Sequence, residues 1–276
     1  MAEQQIIQTT VGSLAVRVRG VGPPVVLWHS LFVDERSWGR VESELAVGHQ
    51  LVLITGPGHG ASSDPGRRYP VEECAEAART VLDHLGISEP VDWVGNAWGG
   101  HVGASFAVRW PARCRTLVTI GTPVQALNVR ERARTISLLL AYRLFGPAGF
   151  IQDGIVDVLL SAKTRAHDPE AVGLVKDCIA NANRPRLRNA VVSISLQRED
   201  LASHLPRISA PTLFITGAAH HGWTPEQAGA ASRLLPHGSS AAVADAAYLV
   251  PLEAPSETVQ LVRRFWDTQV TRAQTT

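Results

Sequence analysis

The residues Val91–Gly103, V-D-W-V-G-N-A-W-G-G-H-V-G, have the spacing of a reactive turn. A short apolar strand runs into a bend bounded by Gly95, Gly99 and Gly100, and a helix begins at once. Glycine suits these positions because a Cβ would clash where the backbone doubles back. A strained strand-to-helix turn of this kind lifts one side chain above the end of a sheet, where Ser, Cys or Asp acts as a nucleophile. The residue at the apex is Ala97. A methyl group attacks nothing, so any chemistry here must come from the groups around it.

Strands and helices alternate on either side of this turn. Ile6–Val11 and Leu14–Arg19 read as a hairpin turning at V-G-S. Six further apolar runs are short and bounded by Gly, Pro or polar residues: Val25–Trp28, Leu51–Ile54, Val91–Val94, Leu117–Ile120, Leu213–Ile215 and Ala241–Val243. Such runs suit strands buried on both faces of a parallel sheet. Helical patterns fall between them, at Ser37–Ala46, Val71–Leu85, Gly99–Arg109, Pro225–Leu234 and Ser256–Thr268. That alternation gives a doubly wound sheet with helices on both faces. The segment Gln125–His204 breaks the rhythm, with helical stretches and no central strand.

Composition narrows the classes of function. A chain of 276 residues with 45% apolar residues can bury a full core. A net charge of +1 argues against a nucleic-acid surface. No apolar run reaches the ~18 residues of a membrane span, so no membrane partner is expected. The N-terminal residues lack a basic segment and a long apolar run, which points to the cytoplasm. Cys74, Cys114 and Cys178 are odd in number and far apart, as in reduced structural thiols. Neither metal nor cofactor is expected.

Four other stretches share the frame of the glycine-bounded turn. They are V-V-L-W-H-S-L at Val25–Leu31, L-V-L-I-T-G-P-G-H-G-A-S-S at Leu51–Ser63, P-T-L-F-I-T-G at Pro211–Gly217 and L-V-P-L-E-A-P at Leu249–Pro255. Taken in order over essentially the whole chain, they resemble the landmarks of the α/β-hydrolase superfamily, and the turn resembles its nucleophile elbow. The resemblance implies a mostly parallel eight-stranded sheet flanked by helices. It also implies a helical cap after the sixth strand: core at 1–124, cap at 125–206, core again at 207–276. Caps in this family close over the elbow and shape the pocket.

The same frames locate three catalytic positions, which in the family hold a nucleophile, a histidine and an acid. Ala97 stands at the nucleophile. G-A-A-H puts His220 at the acid, and Y-L-V-P-L-E-A-P puts Tyr248 at the histidine. All three differ from the family's pattern. The backbone amides of Leu31 and Trp98 stand where the family forms its oxyanion hole, and side-chain changes need not disturb them. Around them the resemblance gathers His29, Ser30, His101 and Trp223, and it sets His220 within hydrogen-bond reach of Tyr248.

His220, Tyr248 and His29 are thus the candidates for moving protons, and Ser30, His101 and Trp223 for contacting substrate. His29 and His101 also have structural readings, as a loop support and as packing beneath the cap. Ser30 also reads as a displaced nucleophile. Three functions follow. The first is cofactor-free, non-hydrolytic proton transfer on a small molecule or peptide, of isomerase, epimerase, lyase or cyclase type. The second is silent binding by a pseudo-hydrolase, and the third is hydrolysis at a displaced site.

Overall fold

Side-chain alternation along the central strands divides the core into two layers. In the computed structural model, which describes residues 4–275 and side chains to 269, β3 (Pro24–Trp28) and β4 (Gln50–Ile54) pair in parallel. Val26, Trp28, Val52 and Ile54 pack into one apolar cluster, while Val25, Leu27, Leu51 and Leu53 pack into another. This is the period-two pattern of strands buried on both faces.

The other strands are β1 (Gln4–Thr9), β2 (Gly12–Arg19), β5 (Val91–Asn96), β6 (Cys114–Ile120), β7 (Thr212–Gly217) and β8 (Gly238–Val243). Their order is β1-β2-β4-β3-β5-β6-β7-β8. Only β2 runs against its neighbours; the remaining pairs are parallel. The β1–β2 turn lies at Thr10–Val11, with Thr9 opposite Gly12, and not at V-G-S as the sequence suggested. Gly12 has φ of 100°, and the Thr9 hydroxyl donates to its carbonyl. Val11 is thereby freed to turn into the core, fully buried.

Helices cover both faces. On one side lie α1 (Gly39–Leu45) and α11 (Pro255–Thr275), with the short α10 (Val250–Glu253) leading into α11. On the other lie α2 (Val71–His84), α3 (Trp98–Arg109) and α9 (Pro225–Ser232). Between β6 and β7 come five helices: α4 (Val129–Phe145), α5 (Gly149–Leu159), α6 (Ala162–His167), α7 (Pro169–Ala180) and α8 (Arg184–Val191), the last running into a π-turn at Val192–Leu196. These helices hold a third apolar cluster, which Val33, Leu249 and Leu252 join from the sheet side. Glu253, from the L-E-A-P stretch, fastens the two parts together. Its carboxylate accepts from Ser161 N–H and the Thr164 hydroxyl on one side and from Ala247 N–H on the other.

Candidate functional site

The sheet delivers its site residues at the C-terminal ends of the parallel strands, where ligands bind in open α/β sheets. β3 ends into His29, β5 into Ala97, β7 into the loop carrying His220, and β8 into the loop carrying Tyr248.

The elbow is formed as its glycines require. Ala97 has φ 47° and ψ −102°, a region that L-residues avoid. Its N–H donates to the Ile120 carbonyl at 2.7 Å, which holds the bend against β6. A Cβ on Gly99 would stand 1.9 Å from the Trp28 carbonyl oxygen, and one on Gly95 2.1 Å from Gly99. The chain therefore keeps a conformation costing on the order of 1–3 kcal/mol with only a methyl at its apex. Among the described residues, neither the Trp98 nor the Leu31 amide donates within the chain.

The loop bearing Leu31 is braced by two histidines. His29 Nδ1–H donates to the Ser30 carbonyl (2.7 Å), and its Nε2 accepts from Gly56 N–H (2.8 Å). His59 Nδ1–H donates to the Pro57 carbonyl, and its Nε2 accepts from Phe32 N–H. Each ring is thus used at both nitrogens and is held neutral. Burial pushes His29 down, and it pushes His59 down to about 3. His29 therefore supports the loop and has no nitrogen left for a proton-transfer role. The Trp98 ring closes the group, 5.6 Å from His29 and 5.3 Å from His59. Ser30 is buried beside them.

His220 and Tyr248 do meet, but not as the resemblance implied. Their rings stack face to face, with centroids 3.5 Å apart and planes 29° apart. No hydrogen bond joins the phenol to the imidazole among the described residues. His220 Nδ1 accepts from Gly222 N–H at 3.0 Å, which leaves the proton on Nε2. That Nε2 is buried and has no hydrogen-bond partner. Burial pushes the ring down to about 3, so it is neutral at ordinary pH and a poor base. Asn96 Nδ2 donates to the Tyr248 carbonyl at 2.8 Å and to that of Ile120 at 3.0 Å, fixing the Tyr248 loop against the elbow strand.

Two more expected residues turn elsewhere. Trp223 is 1% exposed and packs on Phe214, within the same apolar cluster that holds Trp28 and Trp98. His101 Nε2–H donates to the Pro123 carbonyl at 2.8 Å, and burial pushes the ring down to about 3. It braces the loop after β6.

One residue was missed. Arg198, just past the last helix of the insertion, brings a guanidinium among these groups. Its Nη2–H donates to the Gln125 carbonyl (2.7 Å), its Nε is buried without a partner, and it makes no ion pair among the described residues. Burial lowers its proton affinity, and its charge in turn lowers those of His101, His220 and Tyr248. Burial raises the Tyr248 phenol, and Arg198 opposes that rise. The groups gathered here are donors: two amides, an imidazole N–H, a phenol and a guanidinium. The acceptor beside them is the Glu131 carboxylate, whose Oε1 lies with the Tyr248 hydroxyl and His220 around Gly222 while its other oxygen accepts from Asn128 N–H in the cap of α4.

The model of the alpha/beta hydrolase fold family matches residues 23–255. A pyrrolizixenacetamide deacetylase of Xenorhabdus hominickii is 27% identical over 267 residues, covering 90% of this chain and 92% of that protein. A solved thermophilic esterase from Thermogutta terrifontis superimposes with a TM-score of 0.88 at 25% identity, over 97% of this chain and 99% of the other. The enol-lactonase from Burkholderia xenovorans LB400, at 19% identity, shares the fold, with a TM-score of 0.87 over 95% and 100%.

Proposed function

The chain belongs to the alpha/beta hydrolase fold family, and we propose that on this frame it carries out a non-hydrolytic, cofactor-free lyase-type step on a small carbonyl compound. The observation that carries this reading is the pairing of a strained, preserved elbow with Ala97 at its apex. Hydrolysis through an acyl-enzyme needs a nucleophile and a base to take its proton. Ala97 supplies no nucleophile, and His220, held neutral down to about 3, is a poor base. What remains suits a reaction that builds negative charge on an oxygen and requires no proton to be abstracted.

Decarboxylation of a 3-oxo acid has that demand. The bond between Cα and the carboxylate breaks, carbon dioxide leaves, and the electron pair moves onto the ketone oxygen as an enolate. The Leu31 and Trp98 amides would hold that oxygen, with His220 Nε2–H as a further donor. The Tyr248 phenol would return a proton to Cα, and Arg198 would stabilise the phenolate until solvent reprotonates it. Relatives named deacetylase, esterase and enol-lactonase support a carbonyl-bearing ligand. His29 and His101 are structural in this scheme, and Ser30 lines the loop.

A panel of 3-oxo acids followed by proton NMR in deuterated water tests this reading. The expected result is enzyme-dependent loss of carboxylate with one deuterium at Cα, strongly slowed in Tyr248→Phe. Ester hydrolysis by the unmodified chain, with covalent labelling by a fluorophosphonate, would replace this reading with a displaced nucleophile. A second reading, silent ligand binding, is favoured by the His220–Tyr248 stack, which leaves His220 only 2% exposed. Ligand-induced stabilisation with no turnover across the panel would select it.

A further inference from the structure

The first helix of the insertion carries its apolar residues on two sides. Leu139 and Tyr142 of α4 turn inward and are buried, as an amphipathic helix requires. Yet Ile136, Leu140 and Leu144, spaced at i, i+4 and i+8, form a second stripe, centred about 130° round the helix from the buried pair, and they are 48, 55 and 66% exposed. Phe145 and Phe150 extend it beyond the helix end as an edge-to-face pair, with centroids 5.6 Å apart, each 61% exposed. A contiguous apolar surface of this kind marks an interaction site.

The charges bordering the stripe have one sign. At 100° per residue, Arg132 and Arg143 fall on one flank and Arg130 and Arg134 on the other. All four are exposed. Arg184, from the R-P-R-L-R run, lies over Gly146 at the C-terminal end and adds a fifth. The nearby acids are already engaged. Glu131 accepts from Asn128 N–H in the helix cap, Asp153 pairs with Lys176, and Asp157 pairs with Arg165.

We infer that the outer face of α4 docks on an anionic lipid bilayer, with Ile136, Leu140, Leu144 and the Phe145–Phe150 pair entering the interface and the flanking arginines meeting lipid phosphates. An apolar stripe with cationic flanks is the pattern of a helix lying in the plane of a membrane surface. Charge decides against a second copy of this chain. A two-fold pairing sets the same patch against itself, and the arginines would face arginines with no free acid between them. That no helix is long and apolar enough to cross a membrane does not bear on a helix that lies flat.

The test is co-sedimentation of the full chain with vesicles of phosphatidylcholine alone or mixed with phosphatidylglycerol. Binding is expected only with the mixed vesicles, and it should fall as salt is raised. Arg130→Gln with Arg134→Gln should weaken partitioning about 25-fold, at roughly fivefold per charge. Leu140→Asp with Leu144→Asp should remove it. Both pairs sit at exposed positions, and melting curves confirm that the variants fold; the salt and lipid dependence of the unmodified chain tests the inference without them. Absence of binding to anionic vesicles, or equal binding to neutral ones, would overturn the inference. So would a dimer in sedimentation equilibrium that Leu140→Asp dissolves, which would assign the face to a second copy.

Discussion

Lowering the pH from 7 to about 5 should remove a large part of the stability of this fold, because His59, His101 and His220 are buried and neutral. Each is pushed down to about 3 from an ordinary 6.5, with burial as the largest cause. Above 6.5 the folded and unfolded chains bind equal numbers of protons at these rings, and the contribution is fully present. Below 6.5 the unfolded chain takes up protons that the folded chain refuses, so stability falls until the folded value near 3 is reached. At about pH 5 the loss is about 2 kcal/mol for each ring. Three rings together lose about 6 kcal/mol, within the 5–15 kcal/mol that holds an ordinary domain. His29 is shifted in the same direction and adds to the effect.

Urea unfolding at a series of pH values measures this directly. The slope should approach about 1.4 kcal/mol per pH unit for each of the three rings below pH 6. His101→Gln keeps a donor for the Pro123 carbonyl and removes the titrating group, so it should cut the slope by about one such increment. Stability that stays level from pH 7 to 5, or a slope that His101→Gln leaves unchanged, would refute the assignment of these rings as buried neutral supports.

Ala97→Ser should yield no efficient esterase and no fluorophosphonate labelling, because His220 is a poor base and Tyr248 stacks on it; turnover of an activated ester near the ordinary median of ~10 per second would contradict that. Tyr248→Phe should lower turnover of a 3-oxo acid by about 10²–10⁴-fold, the usual worth of a positioned acid, with little change in KM; a change in KM alone would make the phenol a binding group. Gly99→Ala should prevent folding or remove more than about 3 kcal/mol, since its Cβ would stand 1.9 Å from the Trp28 carbonyl oxygen. A melting point within a few degrees of the parent would show that the elbow can relax.

The frame of the fold was legible because its signals are local. Short apolar runs between Gly and Pro gave the strands, and the glycines around Ala97 gave the elbow. What failed depended on orientation at a distance. The Y-L-V-P-L-E-A-P and G-A-A-H frames bring Tyr248 and His220 together, but a motif carries no ring orientation, and the rings stack. Trp223 follows a glycine in a loop near the site, yet its ring is buried against Phe214. Arg198 stands in the unremarkable run L-Q-R-E-D; only the path of the five inserted helices brings it to Tyr248. The one available hint was an arginine closing a long insertion. The hairpin turn was misplaced because Val11 reads as a strand residue, whereas the positive φ of Gly12 sets the register.

The measurement that bears most directly on the proposed chemistry is a crystal structure with acetohydroxamate, a planar mimic of an enolate. The expected result is a ligand oxygen about 2.7–3.1 Å from both the Leu31 and Trp98 amides, the range of a working oxyanion hole, with His220 Nε2–H as a further donor. A ligand that leaves both amides unfilled at saturating concentration and binds only outside the elbow would contradict the proposal.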